Sequence, residues 1–249
     1  MLELNRISAG YGKQTVLDGI SVDFEKGKLT SIIGVNGCGK STLLKAILGI
    51  LSLSSGEIFI DGENLLTISR NEIAKKIAYL SQGKNIPDMT VEQMVLHGRF
   101  PYLSYPRRYS SHDREVAIKA MEIVGVAEFA HKPLYSLSGG MRQNAYIAMA
   151  LAQDTDYILL DEPTTYLDIA HQLELMRILR KLADSGKGIV TVMHNLTIAF
   201  DFSDKLTVMS NGKIIAYGTP SEICESHIVE DIFGVKIKQV QKGKYLYEY

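Results

Sequence analysis

Tryptophan is absent from the 249-residue sequence, and there are only two cysteines, Cys38 and Cys224. Two cysteines this far apart make no disulfide framework and favour a reducing compartment. No histidines and cysteines have the spacing of zinc ligands. The longest unbroken apolar run, residues 145–152, is far shorter than the roughly 20 residues that cross a bilayer, and the opening residues lack a signal-peptide pattern. If the protein works at a membrane, we expect it to dock onto a partner.

An excess of charge of either sign is also lacking. The 27 lysines and arginines nearly balance the 28 aspartates and glutamates, which leaves a formal net charge of −1. This balance argues against a general nucleic-acid-binding surface, since such surfaces rely on many basic contacts to phosphate. Apolar residues make up 46% of the chain, which predicts a globular protein large enough for a full core.

A glycine-rich segment from Gly34 to Ser41, called the phosphate loop below, fits the pattern G-x-x-x-x-G-K-[ST] without a mismatch. The run 29–34 before it predicts a buried parallel strand, and residues 42–48 after it predict a helix. Glycines let backbone N–H groups surround phosphate oxygens, and the helix N-terminus adds the positive end of its dipole. We expect Lys40 to reach the β and γ phosphates and Ser41 to ligate Mg²⁺. Cys38 is a poor candidate for a nucleophile, although a positive loop can lower the pKa of its thiol and so allow oxidation or alkylation to block nucleotide binding.

Two adjacent carboxylates, Asp161 and Glu162, follow the apolar run 157–160. A carboxylate at the end of a buried strand suits Mg²⁺, a hard cation that prefers oxygen ligands. Neighbouring side chains on a strand point to opposite faces, so a bend at the strand end is required to bring both to one site. We expect Asp161 to hold the metal shell and Glu162 to polarise the attacking water as general base.

A second glycine turn, Ser138-Gly139-Gly140, precedes this strand and opens a predicted helix that runs through residues 143–152. The N-terminus of that helix forms a second surface suited to phosphate. We do not expect one chain to fold both surfaces onto the same nucleotide. The sequence therefore predicts a homodimer in which a nucleotide lies between helix N-termini from different copies.

These motifs, in their order and spacing, resemble the ATPases of ABC transporters. The resemblance covers nearly the whole chain and rests on Lys40, Gln82, residues 137–140, Asp161-Glu162, Leu167-Asp168 and His194. It implies ATP and Mg²⁺ as cofactors and a mechanical cycle driven by phosphoryl transfer to water.

The resemblance also implies roles for single residues. Tyr11 is similar to the aromatic residue that stacks on adenine, and Gln82 to the glutamine that touches Mg²⁺ and water and senses the membrane partner. His194 resembles the histidine that contacts the γ-phosphate, and Asp168 the residue that couples two active sites across the dimer. Residues 138–140 resemble the turn that closes on the γ-phosphate of the opposite copy's ATP.

Three sets of candidate site residues follow. Catalysis is assigned to Glu162, His194 and Gln82. The metal set is Ser41, Gln82 and Asp161. The nucleotide set is Tyr11, Gly34, Asn36, Gly37, Cys38, Gly39, Lys40, Ser41, Thr42, Ser138, Gly139, Gly140 and Asp168.

The predicted fold class is α/β: a P-loop NTPase with a RecA-like core, an antiparallel β subdomain and an inserted helical subdomain. Residues before Gly27 and residues 57–61 alternate in polarity and predict the antiparallel sheet, whereas strand signals vanish between 83 and 152. We expect a single ABC ATPase domain. Its parts are a nucleotide-binding core with β subdomain (1–82 and 153–219), a helical subdomain (83–152) and a C-terminal extension (220–249).

Local patterns predict further elements. The pairs Asn211-Gly212 and Lys242-Gly243 predict two hairpin turns. Two apolar stripes predict core-facing helices. The first stripe is Val116, Ala120, Ile123 and Val124, and the second is Ile169, Leu173, Met176, Leu179 and Leu182.

Two segments narrow the resemblance to importer ATPases for iron–siderophore, haem and cobalamin uptake, with the ferric-siderophore group the nearest. They are residues 97–104 with Arg107-Arg108-Tyr109, and residues 148–153 with 161–172. The resemblance implies integral-membrane permease subunits as partners, an extracytoplasmic solute-binding protein indirectly, no nucleic acid, and a peripheral place on the cytoplasmic face of the membrane.

Two alternatives remain open at the level of sequence: a soluble ABC-type ATPase that acts as an assembly or mechanical factor, and an importer ATPase for cobalamin or haem. The chain also departs from the family pattern at four positions, Val35, Met141, Asn144 and Asn195. Because none of these positions carries a group assigned to metal binding or water activation, we expect ATPase activity to be retained.

Overall fold

The computed structural model describes residues 1–81, 86–241 and 243–248. Twelve strands lie in these ranges: β1 (Leu2–Tyr11), β2 (Gln14–Phe24), β3 (Leu29–Gly34), β4 (Leu53–Ile60), β5 (Glu63–Asn64), β6 (Ile77–Leu80), β7 (Tyr157–Asp161), β8 (Gly188–Val192), β9 (Lys205–Ser210), β10 (Lys213–Gly218), β11 (Lys236–Gln241) and β12 (Lys244–Glu248). The α-helices described are α1 (Lys40–Ile47), α2 (Arg70–Lys76), α3 (Val91–Leu96), α4 (Ser111–Ile123), α5 (Gly139–Ala152), α6 (Ile169–Asp184), α7 (Leu196–Phe202), α8 (Pro220–Glu225) and α9 (Ile228–Phe233).

A six-stranded sheet in the order β10-β9-β3-β8-β7-β6 forms the centre of the molecule. The five strands β9, β3, β8, β7 and β6 run parallel to one another, and β10 pairs antiparallel with β9. Every residue of β3, β7 and β8 is buried, as expected of parallel strands covered on both faces. The carboxyl ends of β3 and β7 therefore deliver the phosphate loop and Asp161 to the same edge of the sheet.

The two faces of this sheet belong to different cores. Alternate residues of β7 point to opposite sides, so that Tyr157 and Leu159 pack with α1 and the β1–β2–β4 sheet, while Ile158 and Leu160 pack with the helices. The antiparallel sheet runs in the order β2-β1-β4-β5 and covers the first face, which confirms the predicted antiparallel sheet.

Between β6 and β7 the described residues, 86–156, form helices and short 3-10 turns with one isolated bridge between Thr90 and Pro133. The helices α3, α4 and α5 pack on one another and on the second face of the central sheet. Helix α5 begins at Gly139 and α4 at Ser111 behind a capping box on Ser110. The predicted fold class is confirmed by these three layers.

The predicted stripes are correct except at two positions, since Ile123 is 56% exposed and Ile169 is 73% exposed. Ile123 is the last residue of α4 and Ile169 the first residue of α6. Met121 replaces Ile123 in the core, and Leu175 joins Met176 in α6. Val124 and Leu182 are buried as predicted.

The Asn211-Gly212 hairpin is confirmed, with φ of 47° and 75° at the two turn residues, which is the left-handed region that this turn type requires. The second hairpin pairs β11 with β12, and its turn includes Gly243, whereas Lys242 lies outside the described residues. Within the described part of the chain, no helix is both long and apolar enough to cross a membrane.

Candidate nucleotide-binding and catalytic site

The phosphate loop joins β3 to α1 and folds around its own lysine. The Lys40 ammonium is buried and donates hydrogen bonds to the carbonyls of Gly34 (2.8 Å) and Val35 (3.1 Å). Gly39 caps α1 with φ of 106°, a left-handed conformation that side chains disfavour. A Cβ at Gly34 would lie 2.4 Å from the Met209 carbonyl oxygen, so this position also requires glycine.

The turn of the β9–β10 hairpin contacts the backbone of the phosphate loop. The sequence did not predict this contact. The Gly212 N–H donates to the Cys38 carbonyl (3.0 Å), and the Gly212 carbonyl accepts from the Asp18 N–H (3.0 Å). A Cβ at Gly212 would lie 2.1 Å from the Val16 carbonyl oxygen. Asn211-Gly212 therefore makes a hairpin and also allows a close approach between two backbones.

The pKa expected for Cys38 is wrong in direction. Burial raises the pKa of this thiol, and the nearby charge of Lys40 offsets only part of the effect. The sulfur faces the inside of the loop, where a Cβ at Gly34 would lie 2.7 Å from it. Cys38 is therefore a packing residue of the phosphate loop rather than a reactive thiol.

A groove beside the loop brings six of the thirteen residues of the predicted nucleotide set together with the predicted base. Its lining is Val16, Asn36, Gly37, Gly39, Lys40, Ser41, Thr42 and Glu162. Val16, on β2, was not predicted. It lies opposite Gly39, where an added Cβ would be 3.5 Å from Val16 Cγ1, and this position becomes visible only when β2 packs on the loop.

Asp161 ends β7 beside the phosphate loop. The Ser41 hydroxyl donates to Asp161 Oδ1 (3.0 Å), and the Tyr79 hydroxyl reaches Oδ2 (3.4 Å). Burial raises the pKa of Asp161, the charge of Glu162 adds to the rise, and the two hydroxyls oppose it. Tyr79 was not among the predicted residues, because its strand carries no sign of which neighbour it will face.

The oxygens of Ser41 and Asp161 fit Mg²⁺, which favours a small number of protein oxygens and completes its shell with phosphate oxygens and water. Within the described residues, no three histidine, cysteine, aspartate or glutamate side chains are grouped to hold a metal ion unaided. Gln82, the third residue of the predicted metal set, lies outside the described residues.

Glu162 and His194 meet although they follow different strands, β7 and β8. His194 Nε2 lies 2.6 Å from Glu162 Oε1, and the Thr165 hydroxyl donates to Glu162 Oε2 (3.3 Å). Glu162 adopts φ of 52°, which is the left-handed region and is uncommon for a residue other than glycine. This turn is the bend at the strand end that the sequence required: Glu162 lines the groove, while Asp161 bonds Ser41, which also lines it.

The second glycine turn starts α5 at the surface. Ser138 caps the helix, and its hydroxyl accepts a hydrogen bond from the Met141 N–H (3.3 Å). Ser138 and Gly139 are exposed, whereas Gly140 is buried against the imidazole of His171. The first turn of α5 has no acidic residue, so its positive dipole end is open to an anion.

Asp168 and Tyr11 lie at the edges of the site. Asp168 caps α6 and bonds the His171 N–H (2.9 Å), and this bond, together with the His171 ring, lowers the pKa of the carboxyl. Tyr11 ends β1 with 49% of its side chain exposed, and Lys45 Nζ is 6.0 Å from its ring centroid. The exposed ring stands beside α1, the helix that carries the phosphate loop.

Comparison with known proteins accounts for this arrangement. Residues 17–165 match the family described as ABC transporter. The chain is 40% identical to a petrobactin import ATP-binding protein of Bacillus anthracis over 234 residues, which cover 93% of this chain and 86% of that protein. It is also 40% identical to the ferric enterobactin transport ATP-binding protein of Escherichia coli (strain K12), over 93% of this chain and 86% of that one. This chain belongs to the ABC transporter family.

Solved structures agree with this assignment. A metal-chelate type ABC transporter in an inward-facing conformation superimposes with a TM-score of 0.85 at 28% identity, covering 99% of this chain and 95% of that chain. A dimeric ATP-binding cassette bound to ADP and phosphate gives a TM-score of 0.75 at 27% identity, covering 88% and 99%. As an ATP-binding subunit of the ABC transporter family, the chain binds ATP and hydrolyses it.

The four departures from the ABC pattern have local structural roles. Asn195 caps α7 through a bond from the Ile198 N–H, a task that aspartate also performs. The Asn144 amide donates to the Val124 carbonyl (3.0 Å) and ties α5 to α4. Met141 packs partly buried on the helical core, and Val35 contributes a carbonyl to Lys40.

Proposed function

We propose that two copies of this chain energise an importer of ferric siderophore or a related iron chelate, from the cytoplasmic face of the membrane. The observation that carries this proposal is the 40% identity, over 93% of the chain, to ATP-binding proteins of petrobactin import and ferric enterobactin transport. The neighbouring structure of a metal-chelate type transporter supports the same class of cargo. The cargo itself would be bound by a separate extracytoplasmic protein and never touch this subunit.

The proposed site is divided between the copies. The phosphate loop, Asp161 and Glu162 of one copy would bind one side of ATP, and Ser138 and Gly140 of the other copy would bind the γ-phosphate side. The exposure of Ser138 and the dimeric cassette among the structural neighbours support this arrangement. Two helix N-termini then face one triphosphate, so binding joins the copies and phosphate release separates them.

The proposed chemistry is transfer of the γ-phosphoryl group to water. Glu162 Oε1 accepts the proton of the attacking water, and the 2.6 Å contact from His194 holds that carboxylate in one orientation. When ATP binds, Lys40 exchanges its hydrogen bonds to the Gly34 and Val35 carbonyls for bonds to phosphate oxygens, which carry more negative charge. Bound Mg²⁺, held by Ser41, Asp161 and Gln82, would neutralise negative charge on the transferring group.

The proposed division of the chain places the nucleotide core with the β subdomain at 1–82 and 153–219, the helical subdomain at 83–152 and an extension at 220–249. The permease would dock on the helical subdomain at residues 100–108. Three aromatic side chains of this segment, Phe100, Tyr102 and Tyr105, are exposed, and the Arg107 guanidinium stacks 4.4 Å from the Phe100 ring. The preceding residue, Arg99, does not contribute to this surface, because its side chain is buried against Asp113.

Co-purification with the permease tests the transport function. We expect the chain to co-purify with a membrane permease encoded beside it and its ATPase rate to rise in lipid vesicles that contain permease, binding protein and ferric siderophore. Tyr105 is 96% exposed and is therefore suited to substitution. Tyr105→Asp should weaken association with the permease at least about tenfold, because it would bury a charge in the interface. Ile118→Asp, on an exposed position of α4, is the matched control and should not.

Other outcomes would redirect the proposal. If cobalamin or haem, rather than ferric siderophore, raises the ATPase rate, the proposed cargo class is wrong but the proposed role as the ATPase of an importer stands. Stimulation by nucleic acid or ribosomes, with no binding to any permease, would refute transport and favour a soluble assembly or mechanical factor.

A further inference from the structure

One side chain, His171 in the first turn of α6, contacts both segments that the proposed dimer would present to the opposite copy. Its ring Nδ1 lies 2.8 Å from Asp168 Oδ1, and its backbone N–H donates to the same oxygen at 2.9 Å. Because an ionised carboxylate only accepts hydrogen bonds, the proton of the neutral ring must be on Nδ1. The imidazole therefore fixes the rotamer of Asp168.

The other edge of the same ring lies on the glycine turn of α5. A Cβ built on Gly140 would be 2.2 Å from His171 Cδ2 and 2.7 Å from Nε2, both well inside contact distance. Gly140 has no left-handed backbone angle that would call for glycine. A side chain added at Gly140 would therefore have to displace the imidazole, which lies directly against its backbone.

A third contact shows that the start of α6 serves as a support for this region. The Gln172 amide donates to the carbonyls of Thr164 (3.2 Å) and Leu167 (3.0 Å), which fixes the loop that follows Glu162. Adjacent residues of one helix turn thus hold the loop after the predicted base, the Asp168 carboxylate and the Gly140 turn.

We infer that His171 is a positioning residue that sets Asp168 and the Ser138–Gly140 turn at a fixed distance from each other, so that both reach the second copy together. This inference rests on the proposed function, because the two segments form one dimer surface only if ATP is shared between copies. A ring that merely filled space would need neither the Nδ1 contact to Asp168 nor a glycine beneath its other edge.

The test measures two properties of the full chain separately: binding of a fluorescent ATP analogue to the monomer, and ATP-dependent dimerisation in a Glu162→Gln background. His171→Ala should leave nucleotide binding within about twofold of the parent and weaken dimerisation about tenfold, the size expected for a lost hydrogen bond to a charged group. His171→Asn should restore only part of the dimerisation, because the asparagine amide can place a donor where Nδ1 stands but lacks the ring atoms that contact Gly140. His171→Gln, whose amide reaches toward the other edge, should not.

A double-mutant cycle isolates the contact with Gly140. In the chain that keeps His171, Gly140→Ala should weaken dimerisation strongly. In the His171→Asn background it should weaken dimerisation much less, because the ring atoms that the new methyl group would meet are gone. Glu174→Ala, an exposed position on α6, is the matched control and should change neither property.

The outcomes separate this inference from the proposed function. If the Glu162→Gln chain itself does not dimerise with ATP, the shared-nucleotide function fails and the inference fails with it. If that chain dimerises, and either His171→Ala dimerises equally well or the losses from Gly140→Ala and His171→Asn simply multiply, the inference alone is overturned. Parallel loss of nucleotide binding and dimerisation in His171→Ala would also overturn it, since that pattern marks general destabilisation.

Discussion

At Glu162 the backbone leaves β7 in a left-handed turn with φ of 52°. A regular strand would point Glu162 to the face opposite Asp161, away from the phosphate loop. With this turn, Glu162 lines the groove beside the phosphate loop and meets His194, while Asp161 meets Ser41, another residue of that groove. Such backbone strain persists only where the surrounding structure enforces it, and it is frequent at active sites.

Substitutions at Glu162 and Lys40 should separate catalysis from binding. Glu162→Gln keeps the shape of the side chain but removes the proposed base, so we expect turnover to fall by about 10²–10⁴-fold while ATP binding persists. Lys40→Ala deletes a charge-assisted phosphate contact, so ATP affinity itself should fall by about 10–100-fold. Steady-state hydrolysis and equilibrium binding of ATP measure the two effects. Hydrolysis at the parental rate by Glu162→Gln would remove Glu162 from the role of base.

Between elements, a buried ion pair joins the segments of the helical part. Arg99 Nε donates to Asp113 Oδ1 (2.9 Å), and its guanidinium also donates to the Ala152 carbonyl (2.9 Å). A single arginine therefore ties the 97–102 segment to the start of α4 and the end of α5. Gly98 allows this approach, since a Cβ there would lie 2.1 Å from the Met149 carbonyl oxygen.

The pH dependence of stability should report this pair. Burial disfavours the charged carboxylate, but hydrogen bonds from Ser110 and the Arg99 guanidinium outweigh it and lower the pKa of Asp113 to about 2. A carboxyl whose pKa falls on folding stabilises the fold above its unfolded pKa of about 4, and this contribution is lost as the pH falls toward 2. We expect Asp113→Asn to lower the free energy of unfolding by about 2 kcal/mol near neutral pH, and by progressively less below about pH 4.

Denaturant unfolding at a series of pH values measures this difference. Glu115→Gln, at an exposed position of α4, serves as the control and should show no comparable pH-dependent change. A destabilisation by Asp113→Asn that stays constant from neutral pH down to about pH 3 would show that packing, rather than charge, sets its size.

For the whole molecule, the proposed shared site predicts complementation between defective copies. A Lys40→Ala copy lacks a working phosphate loop, and a Ser138→Arg copy lacks a working glycine turn. In a mixed dimer, one site combines the intact loop of one copy with the intact turn of the other. An equal mixture should therefore recover about a quarter of the parental ATPase rate, if copies pair at random and sites act independently.

Each variant alone should be nearly inactive. The control mixture combines Lys40→Ala copies with copies that carry both substitutions, and it should stay inactive because no phosphate loop is intact. Recovery in this control would show that Lys40 is not required for hydrolysis. No recovery in the test mixture would place the complete site within a single chain.

Features that depend on adjacent residues were predictable from the sequence. The strand–loop–helix order around Gly34–Ser41, the helix that follows Ser138 and the Asn211-Gly212 hairpin are all present in the structure. Each is encoded by local backbone requirements: glycines where φ is positive, a serine where a helix N-terminus needs an acceptor, and β-branched residues where a strand is buried.

Only the tertiary structure decided which distant residues meet. Ser41 and Asp161 are separated by 120 positions and Tyr79 and Asp161 by 82. Their contacts depend on the strand order β3-β8-β7-β6 of the central sheet. The direction of the Cys38 pKa shift, the exposure of Ile123 and Ile169, and the imidazole on Gly140 likewise follow from packing. Burial and long-range contacts are properties of the assembled layers, so no local pattern specifies them.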